Sequence, residues 1–351
     1  MKHILPSLIV ALLAAPGHAT LTFTNYNSFN SNLGHNDVYG VHADNTFVYA
    51  ATFGGGVAVS STQGASWNNY TMANSGLADN NVNGVYAANG FLYAATNNGG
   101  VSISSNQGAS WTSSTVAQGL GSNRVYAIRT DGGFLYAATH AGLAISSDNG
   151  ATWSNRTASN SGLGSDTVIG IHAAGGGNLY AATWGGGVSV STNNGLSWVN
   201  YTNANSGLPN DAVLAIHGLN GYLYAGTFGG GMGISSANGL LWGVANNGLN
   251  STIVHAVQAH GAYLFAGTFA GVGVSMDNGA SWMMRDVINS GLGGNYATSV
   301  FATGSILYVG TDNGVSIARL TAIPEPSTYG MALGGIALAG AALRRRRKAG
   351  A

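Results

Sequence analysis

The chain has no cysteine, and only 6% of its 351 residues are charged, against about 25% in an ordinary soluble domain. Between residues 20 and 320 there is neither a lysine nor a glutamate. Each scarcity excludes something. Without thiols there is no disulfide framework and no thiolate metal centre. Eleven basic residues against eleven acidic ones leave no cationic surplus to neutralise phosphates, so no nucleic acid is expected as a partner. With 45% apolar residues the chain is not a charged disordered tail. It is rich in glycine, with 56 residues, about twice the usual share of about 7%. Those glycines lack the three-residue period of collagen.

The two ends differ from the rest. Residues 1–19 read as a signal peptide: Lys2 and His3, an apolar run from Ile4 to Ala15, then Gly17-His18-Ala19 before an expected cleavage at Thr20. The other end runs Pro324-Glu325-Pro326, an apolar stretch Tyr329–Leu343, then Arg344-Arg345-Arg346-Arg347-Lys348. A short hydrophobic helix is expected there. At about 22 Å it is short for a hydrocarbon core of about 30 Å, so flanking residues or local thinning must help residues 329–343 span it. The basic cluster after it is expected to stay cytoplasmic. This order of parts resembles the PEP-CTERM sorting signal of Gram-negative bacteria. The resemblance implies an exported protein, often from an organism that makes exopolysaccharide. It also implies that an exosortase, a transpeptidase-like membrane enzyme, recognises and processes the tail 321–351. Pro324, Glu325 and Pro326 would be the sorting motif and Arg344, Arg345, Arg346 and Arg347 the basic end.

Between the ends one unit recurs. Six tryptophans, at 67, 111, 153, 198, 242 and 282, each close an octet of the kind Ser60-Ser-Thr-Gln-Gly-Ala-Ser-Trp67; the others begin at Ser104, Ser146, Ser191, Ser235 and Ser275. A second motif, Tyr49-Ala-Ala-Thr52 and its relatives, recurs seven times, as far as Tyr308–Thr311. A third, Asn-Ser-Gly-Leu, follows several tryptophans, as at Asn74–Leu77 and Asn160–Leu163. Each unit holds four short β-type runs divided by turn residues, in the second unit Val82–Ala87, Phe91–Thr96, Val101–Ser105 and Ser110–Thr115. Residues 20–320 amount to seven units of 43, the size of a four-stranded propeller blade. The last unit lacks its fourth strand, while Leu21–Asn27 matches Trp67–Tyr70 in register. The N-terminal strand is therefore expected to complete the last blade and remove two open sheet edges. The expected fold is all-β: a seven-bladed β-propeller of four-stranded antiparallel blades, closed by that strand. A parallel β-solenoid is the alternative.

The octets resemble the Asp box of bacterial neuraminidase-type repeat propellers, with Asp148 and Asp277 at the acidic position and Thr62, Asn106, Asn193 or Ala237 elsewhere. That resemblance implies a turn between the third and fourth strands, with the Trp packed on a neighbouring sheet. A sialidase is disfavoured, because residues 20–320 contain no glutamate to pair with a tyrosine. Asp37, Asp166 and Asp211 are the carboxylates for a paired-carboxylate hydrolase or lyase. The Asx residues recurring at the start of the innermost strands (Asn36, Asn80, Asn123, Asp166, Asp211 and Asn295) read instead as turn formers.

Two rings of once-per-blade residues are the places for a ligand. The residue after each Ala-Ala-Thr begins a loop at the channel mouth: Phe53, Asn97, His140, Trp184, Phe228, Phe269 and Asp312. The four aromatics suit sugar rings, with the polar members supplying contacts; the alternative is that they plug the mouth as packing. The other ring is His42, Tyr86, Arg129, His172, His217, Gln258 and Phe301, read as inter-blade hydrogen bonding in preference to a metal site. No cofactor or metal is expected. The expected function is a non-catalytic surface or exopolysaccharide-matrix binding protein, with a neutral polysaccharide or a surface protein as partner. The alternatives are a polysaccharide-degrading enzyme and a protein–protein scaffold. Inside 20–320 five arginines face ten aspartates, so the body is weakly acidic and does not favour polyanions.

Overall fold

Runs of β-branched and aromatic residues alternate with glycine- or asparagine-bearing turns along the chain, and each run becomes a strand. The computed structural model describes residues 21–320. The signal peptide at 1–19, the tail 321–351 and its expected helix at 329–343 lie outside the described residues. In the second repeat the strands are Val82–Ala88, Phe91–Thr96, Val101–Ser104 and Thr112–Ser114, bonded in that order. Asn89 (φ 54°) and Gly90 (φ 81°) turn the first hairpin, using the positive φ that this pair tolerates. Seven such four-stranded antiparallel sheets are present among the described residues. Each innermost strand packs on the next, and the innermost strand of the first blade, Val38–Ala43, packs on Ala297–Thr303 of the seventh. Thr22–Arg319 is a closed seven-bladed propeller.

The ring closes as expected. Phe23–Tyr26 pairs antiparallel with Gly314–Arg319, placing Phe23 opposite Ala318 and Tyr26 opposite Val315. Phe23 occupies the slot that tryptophan holds in the other blades. The Trp67 and Trp111 backbone N–H groups donate to the Ser31 and Ser75 carbonyls of the preceding connection, and the Phe23 N–H donates to Ser290 at 2.8 Å. A solenoid would need no such complement.

The core lies between blades. Trp153 of the third blade packs with Tyr93 and Ile103 of the second, and Trp67 of the first packs with Tyr308 and Val315 of the seventh. The repeated strand tyrosines are buried, Tyr49, Tyr93 and Tyr136 among them, so they are core as the pattern indicated. Short helical turns, Met72–Ser75, Ala158–Ser161, Asn203–Ser206 and the 3-10 turn Val116–Gln118, join successive blades. No periodicity announces a single turn. The Asn-Ser-Gly-Leu motif builds it: Asn74 Oδ1 accepts from the Thr71 N–H at 2.7 Å, and Gly76 ends it at φ 76°.

Candidate functional site

The repeated threonine shapes the channel mouth. Thr183 Oγ1 donates to the Gly187 carbonyl and Thr227 Oγ1 to Gly231, each at 2.8 Å, which clamps the loop after the second strand. At Gly187 (φ 75°) a Cβ would strike the Tyr201 carbonyl, so the clamp requires glycine. The residue after the threonine is held by its backbone: the Phe53, Trp184 and Phe228 N–H groups donate to Asp37, Thr167 and Ala212 carbonyls at 2.9 Å. Their side chains are left facing outward. Phe53 is 40% exposed, Trp184 46%, Phe228 44% and Phe269 46%, so none is a fully packed plug. His140 and Asp312 are exposed and Asn97 is half-buried.

The aromatics meet in pairs. Trp184 of the fourth blade and Phe228 of the fifth lie 5.4 Å apart at 53°. Phe269 stacks on Tyr296 of the next blade at 4.4 Å and 19°. Phe53 lies 5.4 Å from Tyr39, and the Tyr126 hydroxyl is 3.3 Å from His140 Nδ1. Asn97 enters none of these pairs; its N–H donates to the Asn81 carbonyl at 2.9 Å.

A further ring escaped the sequence pattern. Every innermost strand slips register at its second residue, as between Val38 and Gly40 or Val125 and Ala127. The residue passed over in each blade, Tyr39, Asn83, Tyr126, Ile169, Leu214, His255 or Thr298, lines the channel. A bulge re-aims a side chain in this way. The signal lay in a Val-x-Gly or Val-x-Ala repeated in the first six blades, and Ala297-Thr298-Ser299 in the seventh, whose x varies from blade to blade.

Deeper in the same cavity, of about 370 Å³, lies the histidine-bearing ring. His42 Nε2 donates to the Ala87 carbonyl of the next blade at 3.1 Å, His217 bonds Ala259, and Gln258 bonds Ala302 through both its amide atoms. These three residues make inter-blade hydrogen bonds of the kind the sequence suggested for the ring, whereas Arg129 bonds the Ile128 carbonyl of its own strand. His172 and His217 lie 4.8 Å apart. Among the described residues no group of three or more His, Asp or Glu is placed to hold a metal. Burial first, then the Arg129 charge, brings His42 and His172 down to about 4. Burial, His172 and Arg129 together bring His217 to about 3.

Asp166 and Asp211 each accept the first N–H of the preceding helical turn, Ala158 at 2.7 Å and Asn203 at 2.6 Å. Asn80, Asn123 and Asn295 do the same with their amide oxygens. The recurring Asx is thus a turn former in both its forms. Asp37 is not in that register; its carboxylate lies 3.8 Å from His35.

Comparison with known proteins agrees with this architecture. Residues 23–142 match the family described as DUF6242 beta propeller domain. Residues 322–347 match the PEP-CTERM protein-sorting motif. The chain carries a PEP-CTERM sorting signal. The PEP-CTERM tail marks an exported protein and implies processing by an exosortase. No curated protein matches the chain in sequence. Among solved structures, it is similar to the extracellular domain of a hybrid two-component system from B. thetaiotaomicron, with a TM-score of 0.72 and 18% identity. That alignment covers 86% of this chain and 42% of that extracellular domain, so this chain spans less than half of it. YCF48 from Cyanidioschyzon merolae aligns with TM-score 0.65 and 14% identity, over 85% of this chain and 98% of its own. An ancestral GH74 enzyme aligns with TM-score 0.61 and 19% identity, over 83% of this chain and 45% of its own. At these identities the likeness is one of fold, and the roles of these proteins differ among themselves.

Proposed function

We propose that this protein is a non-catalytic binding propeller of the cell surface or exopolysaccharide matrix, and that the aromatic channel mouth is its binding face. The observation that carries the reading is the Trp184–Phe228 pair, nearly half exposed and clamped from behind by backbone hydrogen bonds. Rigid, partly exposed rings suit the apolar faces of neutral sugars, and Asn97, His140 and Asp312 would supply polar contacts. In this reading residues 1–19 are removed on export, and residues 321–351 hold the chain in the membrane of a Gram-negative cell until an exosortase processes them.

The test is retention of the exported chain by the organism's own polysaccharide. Trp184→Ala and Phe228→Ala are expected to weaken binding by about tenfold each, the loss of about 1.4 kcal/mol of stacking. Absence of wild-type binding at every salt concentration overturns the matrix reading. Unchanged affinity in both folded variants overturns the aromatic face. A protein scaffold is the second reading, motivated by YCF48, a propeller of similar fold whose structure with a D1 peptide is known; surface cross-linking separates it from glycan binding. A hydrolase or lyase using Asp37, Asp166 or Asp211 would release reducing ends, and a single Asp→Asn change would abolish that release.

A further inference from the structure

The channel contains a positive charge without a counter-charge. Arg129 stands on the innermost strand of the third blade, and the exposure it keeps is to the channel. Its Nη1 donates to the Ile128 carbonyl at 2.7 Å, and its guanidinium lies 5.0 Å from the centroid of the Tyr86 ring. A guanidinium carries five N–H donors, and a desolvated one without an anion is costly. No carboxylate is among the residues lining the cavity. The ion pair His35–Asp37 lies outside the cavity lining.

The surroundings point the same way. His42, His172 and His217 line the same cavity, and the Arg129 charge opposes protonation of all three. That arrangement repels a metal cation and leaves neutral imidazoles beside the guanidinium as polar partners. The cavity, of about 370 Å³, has room for a small ligand with water. The body as a whole is acidic, with ten aspartates against five arginines, so a site of positive charge here is local and opposite to the net charge.

We propose that the channel is a small-anion site in which Arg129 holds a carboxylate or inorganic oxyanion through paired N–H bonds, with His172 and His217 beside it. Arginine suits such planar two-point recognition. The site lies deeper in the channel than the aromatic mouth, and its occupant is a small ion, distinct from the polyanions that the acidic exterior disfavours.

The experiment titrates the full chain at pH 7 with acetate, phosphate or sulfate at constant ionic strength, reading the melting temperature and the heat of binding. A saturable stabilisation by acetate supports a carboxylate occupant; one by phosphate or sulfate supports an inorganic oxyanion. Arg129→Gln is expected to raise the dissociation constant by about tenfold or more, whereas Arg319→Gln, exposed at the end of an otherwise buried strand, leaves it unchanged. No saturable effect of any of the three on the wild type, or an equal effect in folded Arg129→Gln, overturns the site. If Arg129→Gln does not fold, wild-type crystals soaked separately in selenate and in acetate decide: either ion bound against Arg129 supports the proposal and the absence of both refutes it.

Discussion

In the octet Ser146–Trp153 one carboxylate organises the outer turn. Asp148 accepts from the Ser146 hydroxyl at 2.7 Å, the Thr152 N–H at 2.9 Å and the Thr152 hydroxyl at 2.6 Å. Those bonds, the Thr152 hydroxyl foremost, pull its carboxyl down to about 2. Asn106 does the same work with an amide, accepting from Ser104 and from the Ser110 N–H at 2.9 Å. Ala237 in the fifth blade has no acceptor to offer. Asp148→Asn is therefore expected to leave the thermal midpoint nearly unchanged and Asp148→Ala to lower it, by about 2 °C. Ala237→Asp should raise it by a similar amount, as calorimetry would measure. The role of Asp148 was legible in the sequence, because the same slot tolerates Asn, Thr and Ala within one chain and so carries no chemistry special to a carboxylate. The bulge residues were not. In a strand pattern the x of Val-x-Gly reads as one more alternating position, and only the slipped register shows that Tyr39 or His255 turns into the channel.

At the scale of the element, the closing strand is the clearest case of sequence and structure agreeing. Its legibility came from subtraction: the seventh unit stops after three strands, and Phe23–Tyr26 fits the missing fourth. Phe23 is 5% exposed and stands where the other blades place tryptophan. Phe23→Ala should cost about 3 kcal/mol or more, seen as a lower urea midpoint. Phe23→Trp should be far milder, because the slot accommodates an indole six times elsewhere. Equal loss in both variants would mean that the seventh slot is narrower than its counterparts. The helical turns between blades show the opposite. Four residues cannot display a period, and their caps, such as Asn160 on the Thr157 N–H at 2.8 Å, become visible only once the chain is folded.

For the whole molecule the sharpest expectation concerns pH. His42, His172 and His255 are held at about 4 and His217 at about 3, burial being the first cause in each case. Arg129 adds to the effect at His42, His172 and His217, while Asp44 partly offsets it at His42. The unfolded chain then takes up protons that the folded ring refuses. Stability is full above about pH 6.5 and falls as pH drops from there toward 4. The melting temperature should be about 5–10 °C lower at pH 5 than at pH 7; a flat profile across that interval would contradict neutral channel histidines. Asp148 acts in a different window, its contribution present above about pH 4 and lost as the pH falls toward 2. A second expectation concerns the tail: mass spectrometry of the exported protein should find a C-terminus without Arg344–Arg347, and a mature chain retaining them would count against processing.

The sequence by itself determined the number of blades, their four-stranded form, the closing strand and the sorting tail, because turn chemistry, strand periodicity and short motifs act within a few residues of one another. It also placed Trp184, Phe228 and Arg129 on rings, since each sits at a repeated position. Only the tertiary structure decided what meets on those rings. Trp184 touches Phe228 and Phe269 touches Tyr296 because neighbouring blades pack. Arg129 stands among three histidines and no carboxylate because ring closure gathers one side chain from each of several blades around a shared channel. Contacts between residues some 40 positions apart follow from closure and packing, and no local pattern encodes them.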